Sequence, residues 1–232
     1  HLVGATSIPA DELEPRLLEL PPPFAQPVNI VGNDEERRAA RELLIRKGWQ
    51  IDGEINSDVE ITCSHSWRLD TEVGSRSAQS WRANDFLEFC MERYVLPLAS
   101  ERGNRLGPAL DLGCGSGRDT VYMAQHLPPG ARVVGVDNHS YALERGARLA
   151  EQWIDAAKES GNDTGRQNGA TPGSLNGLKA DIVHGHRFKC EQLLPILRDH
   201  VLMPGGLFIW STFLDTGTDN IVPPWRPSRM LR

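Results

Sequence analysis

Asp111-Leu112-Gly113-Cys114-Gly115-Ser116-Gly117 places one acid and three alternating glycines within seven residues. Glycine adopts positive φ and lets the backbone approach a ligand closely. A helix that begins directly after such a turn presents unpaired N–H groups. Asp137 follows 26 residues after Asp111, at the end of the next apolar segment. A carboxylate there can accept hydrogen bonds from two ribose hydroxyls. Two cofactor classes compete for this pattern. A dinucleotide loop sets its N–H groups against a pyrophosphate, whereas an acid before the first glycine repels that group and suits an amino-acid ammonium or a sulfonium. A glycine turn with no ligand is the third reading.

Other residues could take part. His184 and His186 stand at the carboxyl end of an apolar segment, the edge where open α/β sheets bind ligands. Either could deprotonate a nucleophile, and each also reads as a satisfied histidine of a polar loop. Trp81 either closes over a cofactor or belongs to a core. Asp119 lies in the first turn of a helix, where an acid can serve only the helix dipole. Cys114, inside the glycine turn, reads as a small packing residue rather than a nucleophile. The cysteines at 63, 90, 114 and 190 form no CxxC pair, so free thiols in a reducing compartment are expected, without a metal site.

The elements that must position these residues follow from periodicity. Strands are expected at 28–31, from 49, near 59–62, and at 109–112, 132–136, 180–185 and 207–210. Helices are expected at 35–47, 81–100, 118–127, 141–157 and 190–202, with Asn33 or Asp34 and Asn84 or Asp85 as N-caps. From residue 109 this β-α-β-α alternation predicts a Rossmann-like, doubly wound, mostly parallel sheet. Residues 160–177 hold five glycines and almost no apolar side chains, and read as a flexible insertion. Pro204-Gly205-Gly206 reads as a turn.

Composition bounds the rest. The 232 residues are 39% apolar and 24% charged, with a formal charge of −6. The acidic balance argues against direct nucleic-acid binding. No apolar run approaches the roughly 18 residues of a membrane span, and residues 1–15 lack the pattern of a signal peptide. A soluble protein of the cytoplasm or mitochondrial matrix, not secreted, is expected.

On these residues, Leu110–Ala124 (LDLGCGSGRDTVYMA) resembles the first motif of class I S-adenosylmethionine-dependent methyltransferases, in the tellurite-resistance (TehB-like) branch. Ser80–Leu87 resembles the helix that leads into such a domain when it is fused to a rhodanese-like domain. The stretch 180–213 is similar to the fourth and fifth strands of that family. His1–Pro9 and Val28–Gly48 resemble rhodanese passages, but Gly32 stands where a rhodanese carries its nucleophilic cysteine. Without a thiolate there, no sulfur transfer is expected. The resemblance implies a partial rhodanese-like domain over 1–52, a linker over 53–80 and a methyltransferase-like domain over 81–232. It implies S-adenosylmethionine as cofactor, held by Asp111, Gly113, Cys114, Gly115, Gly117, Asp137 and Asn138 together with Arg118 and Trp81. His184 and His186 are the candidate catalytic groups.

The function implied is methyl transfer to a small-molecule acceptor. The alternative is an inactive methyltransferase-like subunit or assembly factor in a protein complex. Four of the family's seven strands are legible, near 110, 134, 183 and 208, and the third is missing. The 232 residues are therefore expected to be parts of two domains of a longer protein, of unassigned oligomeric state.

Overall fold

The computed structural model describes residues 5–57, 78–158, 177–188, 190–214 and 230–231. It divides into two compact units, His1–Arg82 and Ala83–Arg232.

In the first unit, β1 (Val28–Gly32) pairs in parallel with β2 (Ile51–Asn56), and α1 (Asp34–Arg46) connects them. Asn33 accepts the backbone N–H groups of Glu35 and Glu36, while Glu36 reaches back to the Asn33 amide. This reciprocal cap satisfies donors that a helix start otherwise leaves unpaired. Leu13, Ile30, Ala40 and Leu44 form the small core. β2 runs through Gly53–Asn56, residues expected to open the linker, because their backbone continues the pairing with β1. The strand expected near 59–62 and the insertion at 160–177, apart from Gly177, lie outside the described residues.

The second unit opens with α2, formed by Asp85–Cys90, Met91–Val95 and Leu96–Glu101 in succession. Asn84 caps it by accepting the N–H groups of Phe86 and Leu87. The middle stretch is a wide π-type turn that ends at Val95, two residues before Pro97. Proline donates no N–H and crowds the carbonyl four residues back, and the wide turn accommodates that. There follow β3 (Ala109–Leu112), α3 (Arg118–His126), β4 (Val133–Val136), α4 (Ser140–Lys158), β5 (Ala180–His186), α5 (Leu193–Ile196 continued by Leu197–Val201) and β6 (Leu202–Ser211).

All four strands are parallel, in the order β4-β3-β5-β6. Alternate residues of the central strands feed two cores. Ala109 and Ile182 pack with Leu87, Met91 and Val95 of α2 and Met123 of α3 on one face. Leu110, Leu112 and Val183 pack with Leu197 and Val201 of α5 on the other. This is the expected Rossmann-like class, with helices on both faces of a parallel sheet. The chain turns to opposite sides of β3 to build β4 and β5, so the crevice beyond the carboxyl end of β3 is the place such sheets offer a ligand.

One expected turn is absorbed into a strand. Pro204–Gly206 lies inside β6 as an irregularity: Ala180 pairs with Leu202, yet Ile182 pairs with Leu207. Gly205 takes φ +73 there, and the extra residues bulge from the ladder. A two-residue parallel pairing of 213–214 with 230–231 lies beyond β6.

Leu87 is wholly buried between α2 and the sheet. Leu87→Ala should lower stability by about 2–5 kcal/mol, from lost burial plus the cavity left behind. Urea unfolding should show a lower midpoint for the second unit's signal.

Candidate functional site

The glycine turn joins the carboxyl end of β3 to α3. Gly113, Gly115 and Gly117 have φ of +69, +55 and +80, the left-handed region that other residues rarely enter. Neighbours add a second constraint at two of them. A Cβ on Gly117 would come within 3.0 Å of the Gly146 Cα in α4, and one on Gly113 within 2.7 Å of the Phe188 ring. At Gly115 a Cβ would meet nothing within 4 Å, so that residue borders open space.

The turn's amides are largely used within the fold. Gly113 and Cys114 both donate to the Val136 carbonyl, at 2.8 and 3.1 Å, and Gly117 donates to the Cys114 carbonyl at 2.9 Å. Gly115 donates to Asp137 Oδ2 at 2.9 Å. Four of the five amides from Gly113 to Gly117 are thus turned toward the protein rather than held out for a pyrophosphate.

Asp137 closes this arrangement from the end of β4. Its second oxygen accepts the His139 amide at 2.9 Å and lies 3.1 Å from His139 Nδ1. Partial burial pushes the carboxyl up. The amides of His139 and Gly115 and the His139 ring outweigh that and hold it below the usual carboxylate range. Asp137 therefore stays ionised at neutral pH, with acceptor positions to spare, since a carboxylate offers about four. Asn138 beside it is exposed. Open space at Gly115 and an ionised acceptor directly behind it fit an adenosyl group bearing a ribose diol.

The expected residues do not all gather here. Asp111 is 1% exposed, with one oxygen 2.8 Å from His184 Nδ1 and the other accepting the Thr120 hydroxyl. His184 is equally buried, and its Nε2 lies 3.9 Å from Asp119 Oδ2, a charge contact rather than a hydrogen bond. The expectation that His184 serves as a base on substrate is corrected by this burial: its ring does not reach solvent. Trp81 is also 1% exposed and belongs to the first unit, which assigns it to a core. Arg118 opens α3, and burial together with the nearby Arg145 charge pushes its guanidinium below its ordinary range. Asp181 sits at the opposite end of β5, where it accepts the Gly107 amide and pairs with Arg102 at 3.1 Å.

His186 is the histidine that reaches the sheet edge. Its Nδ1 lies 2.6 Å from Ser211 Oγ. Burial first, then the charge of Arg187, pushes its pKa down to about 4, so the ring is neutral at physiological pH. Burial and the nearby Asp111 and Asp137 push the Cys114 thiol up to about 12, which leaves it protonated and unreactive.

Sequence reasoning missed Thr120, Phe188 and Ser211, as well as the bond between Asp111 and His184. A signal for that bond was present: each is a polar residue inside an apolar strand, and such residues need partners.

Comparison with known proteins bears on this segment. Residues 109–169 match a family model described as a methyltransferase domain. The chain is 33% identical, over 101 residues, to an uncharacterized 37.1 kDa protein of transposon TN4556 from Streptomyces fradiae. That match covers 44% of this chain and 28% of the relative, so the chain spans under a third of the relative's length. Among solved structures it is similar to the apo form of the S-adenosylmethionine-dependent methyltransferase SibL, with 23% identity and a TM-score of 0.33, over 56% of this chain and 38% of that one. The glycine turn and Asp137 both lie within the segment that matches that family model.

The Cys114 environment makes a direct prediction. In the folded protein at pH 8, iodoacetamide should leave Cys114 unmodified, and denaturation should expose it to alkylation. Peptide mass spectrometry reads both states.

Proposed function

We propose that the chain carries out S-adenosylmethionine-dependent methyl transfer to a small-molecule acceptor. The observation that carries this reading is the Asp137 carboxylate held against the Gly115 amide, where the turn borders open space. Gly113, Gly115 and Gly117 would cradle the cofactor, Asp137 would take its ribose hydroxyls, and Asn138 and Arg118 would flank it. The inward amides of the turn favour this cofactor over a dinucleotide, because a pyrophosphate needs those donors. The bound sulfonium supplies an electrophilic methyl group. The chain's own residues need then only hold donor and acceptor in line and exclude water, a contribution that positioning alone can make large.

His186 is the residue we assign to the acceptor side. It stands at the carboxyl end of β5 and is neutral at physiological pH, so it offers hydrogen bonds rather than charge. We further place the domain in the tellurite-resistance branch, on Gly115-Ser116-Gly117-Arg118-Asp119, and read the first unit as rhodanese-like, on its parallel β1-α1-β2 arrangement. With Gly32 at the end of β1, that unit lacks a nucleophile there, and a docking or structural role suits it.

Calorimetric titration with S-adenosylhomocysteine tests the cofactor reading. The intact chain should bind it. Asp137→Ala should weaken binding at least about tenfold, the equivalent of roughly 1.4 kcal/mol, and Gly115→Val should abolish it by filling the open space. Absence of binding by folded wild-type protein would refute the reading.

A further inference from the structure

Asp111 and His184 stand directly opposite each other in the β3–β5 register, and both are buried. Their hydrogen bond is one part of a larger connection. Asp119, in the first turn of α3, lies on the far side of the same ring, and its other oxygen accepts the Asn84 amide at 2.8 Å. Thr120 donates to the second oxygen of Asp111. Asp111 lies two residues before Gly113, and Asp119 two residues after Gly117. The ring therefore bridges the two ends of the glycine turn.

We propose that His184 is a positioning residue: it clamps Asp111 to Asp119 across the base of the turn and so fixes the shape in which Gly113–Gly117 meet the cofactor. This rests on the cofactor reading above only in taking the turn as the cradle. The clamp explains why an acid belongs at 111 although it does not face the open side of the turn. It also gives Asp119 a role beyond the helix dipole.

The clamp depends on charge. Facing His184 are Asp111 from β3 and Asp119 from α3. His186 lies two residues along its own strand, and α2 contributes the Asn84 amide through Asp119. Burial alone would lower the affinity of the ring for a proton. The bond to Asp111 and the charges of both acids outweigh it and raise the imidazole above its ordinary range. The contribution of such a group is complete below the ordinary imidazole pKa and is lost as pH rises through the folded one. Burial and the Asp111 charge likewise push Asp119 up, as expected of two acids sharing one cation.

A pH titration of the intact chain by NMR tests the clamp, with S-adenosylhomocysteine calorimetry beside it. The His184 ring should titrate above the ordinary imidazole range, and the amide signals of Gly113, Gly115 and Gly117 should move with its midpoint. Affinity for S-adenosylhomocysteine should fall about tenfold across that midpoint, the equivalent of one pKa unit. His184→Asn keeps a donor toward Asp111 but loses the charge, and should abolish the pH step. A ring titrating at or below the ordinary imidazole range, or glycine amides indifferent to it, would overturn the proposal. Should the variant not fold, the wild-type titration decides alone. Glycine amides that follow the ring, with no S-adenosylhomocysteine bound at any pH, would uphold the clamp and remove the cofactor reading. Binding with no pH step would do the reverse.

Discussion

Asp111 places a carboxylate out of water in the central strand of the sheet, and the neighbouring elements are arranged around that charge. A buried ion needs a matched partner and further hydrogen bonds, and removing one partner of such a pair costs about 3–5 kcal/mol. Here β5 supplies the imidazole, and α3 supplies a hydroxyl and a second acid. Three elements are thereby fixed to one another at the edge where the sheet opens. Apolar packing at this position would hold them together equally well, but it would not orient them. The bond between Asp111 and His184 has a direction, which sets how β5 registers on β3 and where the first turn of α3 begins.

Steric limits complete what the charge begins. Gly117 and Gly146 let α3 and α4 touch backbone to backbone. Gly113 leaves room for the Phe188 ring, and Gly185 for the ring of Trp210. Phe188 and Trp210 in turn meet edge to face at 5.5 Å. Side chains are thus excluded where the turn, the last residues of β5 and α4 converge. The result is a turn whose shape is set from below by charge and from the sides by contact, with Gly115 left facing open space.

Much of this frame was legible in sequence. The strands at 109–112 and 180–185, the caps at Asn33 and Asn84, and the α3 and α4 helices follow from periodicity and capping chemistry, which act over neighbouring residues. The glycine turn and Asp137 were legible for the same reason, because their spacing is local to one β-α-β unit. What the sequence withheld is long-range. Asp111 and His184 are 73 residues apart, and only the parallel register brings them together. Polar character alone cannot tell a buried histidine from one at the mouth of a site, so His184 and His186 looked alike. Pro204–Gly206 reads as a turn by composition, but the flanking residues on both sides pair with β5, and the strand continues through a bulge.

The division of labour between the two histidines follows from their surroundings. One strand and one helix place carboxylates beside His184, Asp111 from β3 and Asp119 from α3, and these raise its affinity for a proton. His186, two residues further along β5, faces Ser211 and the cation of Arg187, and gives its proton up. Alternation along a strand puts both side chains on the same face, so the same sheet edge carries an imidazole of raised proton affinity beneath the turn and a neutral one beside it. Reactions that need mainly alignment suit such a site. The charged groups are committed to holding the backbone, Asp137 is kept ionised as an acceptor, and the group left at the opening is neutral. On the proposed reading, an acceptor approaching this edge would meet hydrogen-bonding partners rather than a strong base, which would suit a nucleophile already reactive when neutral or ionised in water.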